Sequence, residues 1–149
     1  MGMQIVSMAI LGSLVLAGCK DPPLVYAEPA CMIDNLNGNT TQSEVRVTRT
    51  KPLHLGGWAI DPVSRRAADS ISINLVSVSA DISKVYEGKF NSPRPDIVAA
   101  FQTEASQVAG FDIDVPINSM TPGLYEIHIS QTFSNRTLVC RIPRIIIVE

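Results

Sequence analysis

The chain has 149 residues, 46% hydrophobic and 17% charged, with a net charge of −2. That balance excludes a disordered chain. Without a basic run or a large positive charge, nothing favours nucleic acid or an anionic surface, and no nucleic-acid partner is expected. The length leaves room for one domain once targeting is set aside.

Residues 1–18 read as a signal peptide. Residues 5–16 are mostly apolar, interrupted by Ser7, Gly12 and Ser13. This run is too short to span a bilayer comfortably. It ends in Leu16-Ala17-Gly18-Cys19, which resembles the bacterial lipobox: a branched apolar residue, two small ones, then cysteine. The resemblance implies cleavage before Cys19 and lipidation of its thiol, with acyl chains such as palmitate as the membrane anchor. One departure is that no Lys or Arg precedes the apolar core. The other readings are an ordinary cleaved signal or an uncleaved anchor, with Cys19 incidental.

Three cysteines is an odd count for an exported chain. With lipid on Cys19, Cys31 and Cys140 remain as a pair, and an oxidising compartment favours a disulfide between them. Closing a loop of that length is worth roughly 4–5 kcal/mol in the chain-entropy model. A metal or redox pair is the rival reading, but there is no Cys-x-x-Cys, and His54 and His128 are the only histidines.

Residues 19–30 form the lipidated cysteine and a Pro-rich tether. Pro22, Pro23 and Pro29 argue against regular structure and for an extended spacer, holding the domain up to about 30 Å from the membrane. Lys20 follows Cys19 where, in enteric-type signals, an aspartate marks inner-membrane retention. By that resemblance the protein belongs at the outer membrane rather than the inner one.

Residues 31–149 read as one domain. Cys31 to Leu36 is a first short strand, and Asn35-Leu36-Asn37-Gly38-Asn39 is turn-rich. Val45-Arg46-Val47-Thr48-Arg49 alternates apolar and polar, as a half-buried strand does. Leu53-His54-Leu55 opens the next strand. Gly56-Gly57 there predicts a bulge that brings Leu53, Leu55, Trp58 and Ile60 to one core, and a close backbone approach that a Cβ would block. Asp61-Pro62 ends it.

Ile71, Ile73 and Leu75 alternate cleanly, and a phase slip at Val76 and Val78 predicts a second bulge or bend. Ile82-Ser83-Lys84-Val85-Tyr86 continues as a strand. Ile97, Ala100 and Phe101 take helical spacing behind Pro95 and Asp96, which suit a first helical turn. This predicts one or two turns crossing between sheets. Phe111, Ile113, Val115 and Ile117 share one face of the next strand, with Asp112 and Asp114 on the other and Pro116 at its end. Thr121-Pro122-Gly123 is a turn, Tyr125, Ile127 and Ile129 alternate after it, and Asn135-Arg136 is a hairpin tip. Leu138, Cys140 and Ile142 share a face before the closing Ile145-Ile146-Ile147-Val148. Seven or eight short strands with turn signals between them predict an all-β sandwich with one short helical crossover.

Four stretches then carry a resemblance: Gly57-Trp58-Ala59-Ile60-Asp61, Arg94-Pro95-Asp96-Ile97, Gly110-Phe111 and Pro122-Gly123-Leu124-Tyr125. Together they resemble an immunoglobulin-like β-sandwich module bearing Gly-Trp-Ala-x-Asp and Arg-Pro-Asp-Val signatures, with Ile97 in place of the commoner valine. The resemblance covers about residues 31–149. The module occurs in bacterial exported, cell-surface and glycan-associated proteins, so the resemblance implies a fold more than an activity.

Asp61 and Arg94 are expected to pair, tying the tryptophan strand to the crossover, with Asp96 as the alternative partner or a cap of its own helix. Trp58 is expected in the core, the rival reading being a sugar-stacking platform. Asp112 and Asp114 read as a solvated sheet face, against a glycoside-hydrolase pair or calcium ligands. His128 alternates outward and is expected to be exposed. No Gly-x-Ser-x-Gly, Walker loop or dinucleotide fingerprint occurs. The expectation is a non-enzymatic envelope lipoprotein with no cofactor and no metal, binding or scaffolding an envelope glycan or protein partner. The alternatives are an accessory docking subunit in envelope polysaccharide assembly and, remotely, a glycoside hydrolase.

Overall fold

Period-two alternation of apolar residues builds two facing sheets, seen in a computed structural model that describes residues 24–26, 30–102 and 108–149. The signal peptide, Cys19 and the tether apart from residues 24–26 and 30 lie outside the described residues. The larger sheet contains β1 (Leu24–Tyr26), β3 (Glu44–Val47), β5 (Ser70–Ser77), β6 (Ser83–Gly88), β8 (Gly123–Phe133) and β9 (Arg136–Val148). Its order is β1-β9-β8-β5-β6, and β3 also pairs with β9. The smaller sheet contains β2 (Cys31–Leu36), β4 (Leu53–Ala59) and β7 (Gly110–Val115), in the order β2-β4-β7. The expected all-β sandwich is present.

The short helix α1 (Pro95–Phe101) connects β6 in one sheet to β7 in the other. Pro95 sits in its first turn, where a missing N–H leaves no bond unmade. Gln102, in the left-handed region at φ 52°, ends it. Ile97 is its buried residue.

The core lies between the sheets. Ile33, Leu53, Leu55, Ala59, Phe111 and Val115 from the smaller sheet meet Ile71, Ile73, Leu75, Tyr125, Ile127, Ile129 and Ile146 from the larger. The disulfide Cys31–Cys140 joins β2 to β9 across this core, with Cα atoms 6.4 Å apart.

Three local expectations are corrected. The tether is not wholly irregular, because β1 runs parallel to β9 with Leu24 opposite Thr137. The residues between Pro23 and Pro29 leave enough free N–H groups for one short edge strand. Next, β4 has no bulge against β7, since the register runs unbroken from Leu53↔Val115 to Trp58↔Gly110. Leu53, Leu55, Gly57 and Ala59 therefore face the core, and Trp58 faces out. Finally, β5 keeps register on both sides, so Val76 simply turns to the outer face.

Bulges occur elsewhere. One lies in β2 at Asp34, between Ile33 and Asn35. The other lies in β9, where Ile127 pairs with Ile142 and Glu126 with Ile145, leaving Pro143 and Arg144 as extra residues. A bulge accommodates a proline that cannot donate to a ladder. It also turns Arg144 inward, to 8% exposure. There it donates to the carbonyls of Gln42 at 2.9 Å, Asn39 at 3.1 Å and Ile33 at 3.3 Å.

Candidate outer-face binding surface

The outer face of the smaller sheet carries Trp58. Its cross-strand neighbours are Met32 on β2 and Gly110 on β7. Trp58 is half-buried and meets the Phe101 ring at 6.0 Å, tilted by 57°. Beneath it lies a second apolar cluster of Ala30, Ile60, Ile97 and Ala109. Met32 beside it is 52% exposed. Trp58 in the main core was the expectation, and the structure overturns it. Gly57 is the cause: a Cβ there would lie 2.8 Å from the Phe111 ring and closer still to the Met32 carbonyl. Phe111 fills that layer of the core, and Trp58, one residue on, covers the opposite face.

A polar half adjoins this aromatic end. Gly56 separates Trp58 from His54, whose Nδ1 lies 3.0 Å from Asp114 and whose Nε2 lies 3.5 Å from Asp112. Both aspartates are exposed, as alternation predicts. His54 joins them because it stands opposite Asp114 in register. Among the described residues, no three His, Cys, Asp or Glu side chains are placed to hold one metal ion.

Arg94 borders the face. Its guanidinium makes a two-pronged contact with Asp96, at 2.8 and 2.6 Å, and donates to Asp34 at 2.6 Å. Asp96 is thus its partner, together with an aspartate that the sequence did not single out. The Arg94 bonds hold the Asp96 carboxyl down to about 2, while the two acids raise the Arg94 pKa. A Cβ at Gly110 would lie 2.7 Å from the Arg94 stem. The glycine lets that side chain cross β7.

Asp61 does not pair with Arg94. It is 1% exposed and forms an ion pair with Arg136 at the β8–β9 tip. The Ser64 hydroxyl and the Val63 N–H also donate to it. Burial opposes its charge, yet these donors keep its pKa below the ordinary value. The β8–β9 hairpin brings Arg136 to Asp61, whereas α1 carries Arg94 toward β2.

His128 is only 13% exposed in its side chain and lies 3.1 Å from Glu126. It stands in a central strand between Asn74 and Arg141, so outward direction does not bring the expected exposure. Tyr125, in the fourth motif, donates its hydroxyl to the Thr121 carbonyl at 2.9 Å, closing the turn before β8. Asp61 and Arg94 in the first two motifs thus clip distant segments together, and Tyr125 in the fourth closes its own turn.

Arg136, Asp34 and Arg144 were not legible as partners. The one available signal was Arg144 itself, a lone cation between Pro143 and an isoleucine run. Compared with known protein families, curated proteins and solved structures, the chain matches none.

Proposed function

We propose that this chain is a non-enzymatic envelope lipoprotein, anchored through Cys19 at the outer membrane. Its domain is of the immunoglobulin-like class named above, and it binds an envelope glycan on the outer face of its smaller sheet. The single observation that carries this reading is Trp58 on that face, beside Met32 and polar side chains. A half-buried aromatic on a sheet surface can stack its open part on the apolar face of a sugar ring, and nearby carboxylates accept the sugar's hydroxyl hydrogens. Asp34, Asp96, Asp112 and Asp114 outnumber Arg94, whose guanidinium is occupied by two of them. Such a face favours neutral or amino sugars over acidic ones.

A second reading, docking to a protein in polysaccharide assembly, has its own support. Val78, Ile82, Val85 and Leu124 are exposed near β6, which ends the larger sheet. An open strand with apolar neighbours suits strand addition by a partner.

The test is intrinsic fluorescence of the mature protein in detergent, titrated with neutral, amino and acidic glycan fragments. Trp58 is the only tryptophan, so the signal has one source. A saturable change with neutral or amino fragments, lost in Trp58→Leu binding assays, is expected. A flat response to every fragment sinks the glycan reading and leaves protein docking.

A further inference from the structure

We propose that the pole of the sandwich formed by the turn 62–65 and the β8–β9 tip rests on lipid headgroups, with Val63 inserted among them. This rests on the lipid-anchor reading of Cys19. It replaces a domain held off the bilayer with one held against it.

The first support is where the chain enters the fold. Leu24 pairs with Thr137, next to the tip residue Arg136, and β1 runs parallel to β9. The chain before Leu24 therefore enters at the tip pole. Cys19 lies five residues earlier, a span of about 18 Å at full extension. An acylated Cys19 sits at the base of the headgroup layer, which is itself about 5–8 Å deep. The tip pole is thus confined to within roughly 10 Å of the headgroup surface by the same chain-length limit.

The second support is what that pole presents. Val63 is 82% exposed, the most exposed of the large apolar residues described. Its turn is rigidly held: Arg65 N donates to the Asp61 carbonyl at 2.8 Å, and Asp61 N to the Arg66 carbonyl at 2.9 Å. The Asp61 carboxylate takes Val63 N–H at 3.0 Å and is ion-paired with Arg136. The guanidiniums of Arg66 and Arg136 lie over the Phe133 ring, at 5.1 and 5.6 Å.

Arg65, Arg66 and Arg136 belong to this pole together with Asp61 and Asp69, which are ion-paired with Arg136 and Arg66, so the pole is locally positive in a chain of net charge −2. An exposed apolar apex on a turn that also carries Arg65 and Arg66, beside Arg136 at the hairpin tip, is the pairing that an anionic headgroup layer accepts.

The test uses the full lipoprotein reconstituted in vesicles of phosphatidylethanolamine and phosphatidylglycerol that carry a headgroup-nitroxide lipid. A fluorophore is attached through Val63→Cys or, at the far pole beyond β5, through Ser79→Cys. The expected result is several-fold stronger quenching at position 63 than at 79. Equal quenching at both positions, in protein that floats with the vesicles, overturns the inference and leaves the anchor intact. Protein that does not float, and whose Cys19 carries no acyl mass, overturns the anchor reading and this inference with it.

Discussion

Asp61 and Arg136 stand 75 residues apart in sequence and form an ion pair in which the acid is almost fully buried. The pair joins the end of β4 in one sheet to the tip of the β8–β9 hairpin in the other. Ser64 and Val63 complete the carboxylate's hydrogen bonds. A buried acid so provided is strongly destabilising to disturb, because any survivor is left without a partner.

Asp61→Ala should therefore lower stability by about 2–4 kcal/mol in urea unfolding, with Arg136→Ala somewhat milder because Arg136 is partly solvated. A double-mutant cycle distinguishes the pairing found here from the one the sequence suggested. Coupling between Asp61 and Arg136 should exceed about 1 kcal/mol, and that between Asp61 and Arg94 should stay within about 0.5 kcal/mol. The reverse ranking would show the ion pair to be wrongly placed.

The disulfide should carry a comparable share of stability. Cys31 and Cys140 are both buried and close a separation of 109 residues. A Cys31→Ser, Cys140→Ser double variant should lose about 2–5 kcal/mol. Thermal melts of wild type with and without reductant check this, and identical melting of the fully reduced and oxidised forms would remove the claim.

Arg144 offers a third test. Its guanidinium serves four acceptors on Gln42, Ile33 and Asn39, and burial lowers its pKa. Substitution by Ala removes the donor to the buried Ile33 carbonyl and to the part-buried acceptors of Asn39 and Gln42, a loss of about 2–3 kcal/mol. Lys should restore little, because an ammonium lacks the planar fork that reaches both β2 and the loop after it. A Lys variant as stable as wild type would show that charge alone suffices.

Acid should weaken the domain in a defined window. Both Asp61 and Asp96 have folded-state pKa values below their unfolded values, Asp96 at about 2. Their contribution is fully present above the unfolded pKa of about 4 and is lost as pH falls toward about 2. Urea midpoints measured between neutral pH and pH of about 2 should fall steeply only in that lower range. Arg94→Gln should flatten part of the fall, since Asp96 then has no cation to lose.

The strands and most of their faces were legible because strand alternation is local. Ile71, Ile73 and Leu75, or Phe111, Ile113 and Val115, announce a buried side without reference to any other strand. The disulfide was legible too, by counting cysteines in a chain whose N-terminus reads as an export signal. The helix start was readable from Pro95 and Asp96 for the same local reason.

Trp58 and the ion pairs belong to the other category. The doublet Gly56-Gly57 fits equally a bulge or an unbroken strand, and the choice reverses the face of Trp58. Only the facing Phe111, which occupies the space above Gly57, decides for the unbroken strand. Partners of charged side chains depend on which loops the two sheets bring to one end, so Asp61 met Arg136 rather than Arg94. Arg144 turns inward because a bulge in β9 rotates it out of alternation. Local sequence sets what a strand buries; contacts between distant segments set which polar groups meet, because their bonds gain energy only after the chain has closed around them.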